Sequence, residues 1–393
     1  MRRLLLPLLA ALACHAHAAP FTPASDDEVV ERLPLLLGSP DARRQQRLAR
    51  ARLQQAPAQL PLALQLARAA IERARQLGDP RELGQAQAVL APWWLQPDPP
   101  PAVRLLRATI RQSQHDFGAA LADLDALLQP GSPAPLALQA QAELTRASVL
   151  QVTGRWAEAG AGCTRLAGSH YAALGSAVQW PAQACLAELA SLQGRADEAE
   201  RALRQLATQA GTASPWLTLV RAELAERRGD GAAQALYREA LQAPQPEVYA
   251  LAAYADWLLA HARPAEVITL LAGREEADAL LLRLAIAYRQ HLGPRDPRAA
   301  AATARLTERF EAAALRGDSL HAREQARYEL DLRGDPAAAL RHAQANWAQQ
   351  KEPADALLLA RAAHAAGQPQ AAEPVRRLVR DTGWQDVRLQ GLT

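Results

Sequence analysis

From about residue 100 onward the chain repeats one pattern: an Ala/Leu-rich segment, a Gly, and a second segment with Ala near its start. Aligned on the Gly, one unit carries Ala147, Leu150, Gly154, Ala159, Cys163 and Leu166. The next carries Ala187, Ala190, Gly194, Ala199, Leu203 and Leu206 at identical internal spacing. A third has Ala222, Ala225 and Gly229, then Ala233, Tyr237 and Ala240 after a one-residue deletion, and closes on Pro244. Gly334, Ala339 and Ala343, then Ala360, Ala363, Gly367 and Ala372, carry the pattern toward the C-terminus. Self-similarity of this kind marks an array whose units bury their apolar faces only against their neighbours. Small side chains let antiparallel helices approach closely, Gly supplies a turn with φ > 0, and Pro stops the second helix. Residue supply agrees: aromatics are 4% while Ala, Leu, Gln and Arg dominate, which favours helix and leaves little for sheet. The expectation is an all-α protein.

The pattern resembles the tetratricopeptide repeat (TPR), whose unit of about 34 residues places small residues where two helices cross, a Gly at the turn and a closing Pro. The clearest matches are Leu284-Ala285 with Tyr288 in a first helix, and Phe117, Ala120, Leu124 and Pro130 in a second. The resemblance covers roughly residues 61–384, with longer loops or helices expected around 168–180 and 293–300, where the turns are unevenly spaced. It implies a right-handed superhelical α-solenoid whose first helices line a concave groove and bind an extended or helical peptide. Counted from the aligned Ala of each first helix, the implied groove positions are Gln151, Glu188, Trp216, Glu223, Tyr249, Asp256, Arg283, Arg289, Glu324, Tyr328 and Arg361. Aromatic and Arg anchors among mixed charges are what protein-binding surfaces enrich, although any solvated helix face can look alike. The run Asn346-Trp347, Gln349-Gln350 and 352–355 is similar to tails of exported proteobacterial repeat proteins.

Residues 1–18 read as a signal peptide, with Arg2-Arg3, an apolar run from Leu4 to Ala13, and Ala16-His17-Ala18 as the cleavage site. Removing Arg2 and Arg3 leaves 42 of 44 basic residues against 41 acidic ones, about +1. That balance speaks against a nucleic-acid binder and against an acidic-membrane ligand. The signal resembles a bacterial one, so the periplasm is the expected address. Cys14 offers an alternative, a lipidated and membrane-tethered component of an envelope assembly or secretion machinery, but Ala11-Leu12-Ala13 is a poor lipobox. No later stretch is long and uncharged enough to cross a membrane, Asp256 and Arg283 interrupting the candidates. The mature chain then divides into an N-terminal segment and capping helix (19–60), a divergent first helix pair (61–91), a Pro-rich linker (92–101), and the array with its C-terminal cap (102–393). Within the linker, Trp93 and Trp94 read as a hydrophobic plug or an exposed knob. Ser25 before Asp26-Asp27 reads as a helix start. Cys163 and Cys185, an even number in an oxidising compartment, are a disulfide or two small apolar fillers.

No catalytic set emerges. Gly160-Ala161-Gly162 begins like a dinucleotide loop, but Arg165 holds the third Gly position and no strand precedes it. The mature chain's His residues at 115, 170, 261, 291, 321, 342 and 364 are scattered, and His321 with Glu324 is too few ligands for a metal. Glu223, Glu226 and Arg227 read as a charged helix face. The sequence therefore points to a non-enzymatic periplasmic scaffold or adaptor that takes no cofactor or metal and binds a protein or peptide. An enzyme whose site is assembled across repeats is the remaining alternative.

Overall fold

The computed structural model describes residues 25, 40–210, 214–315 and 322–392. The signal peptide, Cys14, the acidic turn after Ser25 and His321 lie outside the described residues. The described part of the array falls in one compact unit, from residue 39 to the C-terminus.

The fold is all-α, with no strand among the described residues. A charged helix, α1 (Pro40–Gln55), leads in. Helix pairs follow: α2 (Leu60–Leu77) with α3 (Arg81–Val89), a single turn α4 (Ala91–Trp94), α5 (Pro101–Ser113) with α6 (Phe117–Leu128), and α7 (Leu136–Val152) with α8 (Trp156–Ala167). Next come α9 (Ser176–Leu192) with α10 (Ala196–Ala210), α11 (Pro215–Arg228) with α12 (Ala233–Ala240), and α13 (Val248–Ala260) with α14 (Pro264–Leu271). The last are α15 (Asp278–Leu292) with α16 (Pro297–Leu315), α17 (Ala322–Tyr328) with α18 (Pro336–Gln349), and α19 (Pro353–Ala365) with α20 (Glu373–Thr382). Each pair packs on the next, which makes the array a solenoid of TPR-like units.

The turn inside most of these pairs has one construction. A residue in the left-handed region ends the first helix, and the following N–H returns to the carbonyl five residues back: Arg155 to Leu150 at 2.8 Å, Arg195 to Ala190 at 3.0 Å, Asp230 to Ala225 at 2.8 Å. Gly154, Gly194, Gly229, Gly334 and Gly367 hold that position, with φ from +66° to +80°. Two turns lack the Gly: His115 (φ 59°) and Ala262 (φ 55°) adopt the same conformation at a cost of about 1–2 kcal/mol each. A third departure precedes Gly334, where Glu329–Arg333 forms a π-helical turn and Asp335 N–H returns six residues, to Glu329.

The stretch 168–180 accommodates a 3₁₀ turn, Ser169–Leu174, whose Tyr171 is buried. The segment expected as a linker is held in place. Trp93 and Trp94 pack against the cluster of Leu66, Leu83, Leu90 and Val103, and Arg107 Nη1 on α5 donates to the carbonyls of Trp94 and Gln96. On α8 and α9, Cys163 and Cys185 stand with Cα atoms 6.1 Å apart and sulfurs at bonding distance. A bond there closes a loop of 22 residues and contributes about 3 kcal/mol by constraining the unfolded chain. Thermal unfolding with and without dithiothreitol measures it. A Cys163→Ser/Cys185→Ser variant should melt like the reduced wild type and show no response to the reductant.

The solenoid folds back on itself. Its C-terminal segment runs against the turns of three central pairs. The Lys351 N–H donates to the Val152 carbonyl at 2.7 Å, and Arg388 pairs with Glu226 at 3.1 Å. A Cβ on Gly194 would lie 2.9 Å from the Gly383 carbonyl oxygen, and one on Gly229 would touch Val387. On the other side Arg75 of α2 pairs with Glu247, before α13, at 3.0 Å. These contacts narrow the expected open groove to a cavity that is still open on one side.

Candidate functional site

In a helix of 3.6 residues per turn, positions at a fixed distance before the turn residue share one face. Six residues before it stand Glu188 (α9), Glu223 (α11), Asp256 (α13) and Arg361 (α19). The first three open onto one cavity of about 370 Å³. Gln151, Tyr249, Arg283 and Glu324 line it too, so seven of the eleven groove positions implied by the sequence converge there. Arg75, Glu226 and Arg227 add to the charged wall, as do Arg323, Lys351, Glu352 and Arg388 from the folded-back C-terminal third.

The other four positions lie elsewhere. Trp216 begins α11, two turns before Glu223, and is 48% exposed away from the cavity. Arg289 Nη1 donates to the Leu332 carbonyl at 2.8 Å. Arg361 borders a neighbouring space, where Nη2 meets Asp331 at 2.6 Å. Tyr328 is core, 4% exposed, with its hydroxyl 2.6 Å from that of Thr307 and its ring edge-on to Phe310. The π turn explains this last displacement. One extra residue between Tyr328 and Gly334 rotates the helix, so the inward position passes to Arg327, which the sequence count missed.

Arg327 belongs to an ion-pair ladder across four first helices. Asp256 (α13) accepts from Arg283 (α15) at 3.0 and 2.7 Å and from Arg327 (α17). Arg327 also meets Asp331 at 3.3 Å, and Asp331 meets Arg361 (α19). Burial alone would raise the Asp256 carboxyl; Arg283 and Arg327 outweigh it and hold the group below the usual carboxylate range. These side chains satisfy one another and tie the four helices together.

The opposite end of the cavity is unlike the ladder. Among the described residues no ion pair reaches Glu188 or Glu223. Burial raises Glu223 to about 7 despite the Tyr249 hydroxyl donating to it at 2.7 Å and the nearby Arg227 charge, and the Glu188 charge pushes it the same way. Burial also raises Glu188, against the pull of Arg227 and a hydrogen bond from Gln151. The Glu223 charge, with burial, pushes the Tyr249 hydroxyl well above its ordinary value. Arg227, 8% exposed, donates from Nη2 to Ser191 Oγ at 3.0 Å, while its Nε has no partner. Among the described residues no three His, Cys, Asp or Glu side chains are grouped to hold a metal.

No family model matches the chain, and no curated protein matches it. Among solved structures it is similar to the crystal structure of the APC/C hetero-tetramer Cut9–Hcn1, at 12% identity over 87% of this chain and 71% of that one, with a TM-score of 0.42. It is also similar to the P58(IPK) TPR domain, at 15% identity over 82% of this chain and 99% of that one, with a TM-score of 0.19. The fold assignment rests on the helix pairs and turns described above. No described helix is long and apolar enough to cross a membrane.

Proposed function

We propose that the protein is a non-catalytic interaction scaffold, exported to the periplasm, which holds a small part of a partner protein in the inner cavity. The observation that carries this reading is the convergence of Gln151, Glu188, Glu223, Tyr249, Asp256, Arg283 and Glu324 on one half-open cavity. Its volume suits a terminus or a few side chains, in contrast to the long peptide that an open groove would accept. The signal-like residues 1–18 and the Cys163/Cys185 pair support an oxidising compartment.

The test is affinity capture from an envelope extract. Wild type is compared with a Tyr249→Ala/Glu223→Gln variant of equal helicity by circular dichroism, and with Trp216→Ala as a control outside the cavity. A partner held by wild type and by Trp216→Ala, and lost by the cavity variant, supports the reading. Capture of the same set by all three forms sinks it.

A further inference from the structure

We propose that the cavity receives a free polypeptide N-terminus, with the α-ammonium between Glu188, Glu223 and Tyr249 and the first carbonyl oxygen facing Arg227. The proposal rests on the scaffold reading above and names the part of the partner that enters.

Charge matching along the inner wall is the first argument. Asp256 and Asp331 are shared among Arg283, Arg327 and Arg361, Glu352 meets Arg323, and Glu226 meets Arg388. Among the described residues Glu188, Glu223 and Glu324 stand outside this matching, as do Arg227 and Lys351, and Glu188 and Glu223 are both largely withdrawn from water. A cation placed between them offsets the repulsion and supplies the ion pairs that the chain itself omits. An ammonium carries three donors, enough for both carboxylates and a third acceptor such as the Gln151 side chain. Tyr249 borders the same cavity, 54% exposed, with its hydroxyl on Glu223.

Arg227 is the second and independent argument. It borders the same cavity, is buried, and leaves Nε without an acceptor. Burying such a donor unpaired is costly, and a small turn of the guanidinium, which already borders the cavity, would bring the closed-off Nε to an acceptor supplied by a ligand. A lysine or arginine side chain brings a cation and no acceptor. An N-terminal residue brings an ammonium with a carbonyl oxygen on the adjacent carbon, which uses both features at once. The volume, about 370 Å³, lies at the low end for small-ligand sites and suits one or two residues.

Isothermal titration of the full chain near neutral pH tests the proposal with four probes: alanyl-alanine amide, its N-acetyl derivative, free alanine and cadaverine. The dipeptide amide should bind, and the acetylated form should bind at least about tenfold more weakly for loss of a charge-assisted contact. Glu188→Gln and Glu223→Gln, each checked for wild-type helicity, should weaken the dipeptide amide by a similar factor. Arg227→Gln should narrow its advantage over cadaverine. Equal binding of the acetylated form, cadaverine as tight as the dipeptide amide, tighter binding of free alanine, or no binding at all overturns the proposal. If the dipeptide amide fails while the Tyr249→Ala/Glu223→Gln variant still loses its captured partner, the cavity remains the docking site and only the N-terminus assignment falls.

Discussion

Replacing Asp355 by alanine should lower the stability of the folded chain by about 3–5 kcal/mol, the range for removing one partner of a buried ion pair. The side chain is 1% exposed and ties three helices together. Its Oδ1 accepts from Arg323 Nε of α17 and from Asn346 Nδ2 of α18, both at 2.6 Å. Its Oδ2 accepts from the Glu352 backbone N–H at 2.9 Å, closing the capping box that starts α19. Truncation leaves the Arg323 guanidinium with Glu352 and a weaker contact to Gln350, and removes the cap. The loss exceeds the worth of the pair, because the stranded groups stay buried. Asp98→Ala is the comparison. That carboxylate also meets an arginine, Arg104 at 2.5 Å, but its side chain is 96% exposed, and its loss should cost less than about 1 kcal/mol. Urea denaturation of the two variants measures both. Equal, small effects would mean that Arg323 finds another partner and that the 350–352 loop is not anchored through Asp355. That loop supplies Lys351 and Glu352 to the cavity wall, so a destabilised anchor also opens the site.

The sequence was most legible where a residue type is forced by backbone geometry. A left-handed turn residue favours Gly, so the turns at Gly154, Gly194 and Gly229 were visible as a periodic signal. The same turn built on Ala262 gave no signal, because there the surrounding packing sustains a conformation that the residue disfavours. The inward positions could be counted from the aligned Ala of each first helix as long as the helix kept its regular period. This located Glu188, Glu223 and Asp256, and failed at Tyr328, where a π turn adds one residue that no composition rule marks. Closure of the groove was illegible for a different reason. Lys351 with Val152, and Arg388 with Glu226, join segments more than 150 residues apart, and such contacts leave no periodic trace. An expected peptide groove therefore became a cavity, while most of the residues expected to line it remained in place.

Gly194→Ala and Gly334→Ala separate the two demands that the repeat turns place on glycine. Both residues have positive φ, +75° and +67°, so an alanine at either pays about 1–2 kcal/mol for the left-handed conformation. At Gly334 nothing lies within 4 Å of the added Cβ, and the cost should end there. At Gly194 the Cβ would stand 2.9 Å from the Gly383 carbonyl oxygen, well inside contact distance. That obstacle is backbone, so no side-chain rotation relieves it, and the segment following α20 must move. Overpacking of this kind adds about 1–3 kcal/mol, which brings the total for Gly194→Ala to about 2–5 kcal/mol. The displacement also has a location. Gly383 leads directly into Trp384, Val387 and Arg388, which reach the core, Gly229 and Glu226 in turn. Hydrogen exchange over 383–392 should therefore accelerate in Gly194→Ala and stay at the wild-type rate in Gly334→Ala. Equal stability costs with unchanged exchange would mean that the C-terminal segment is not seated on the central turns, and the cavity would then be an open groove after all. The larger cost at Gly194, with exchange confined to the C-terminal segment, would mean that the array is held closed by a contact only a glycine permits.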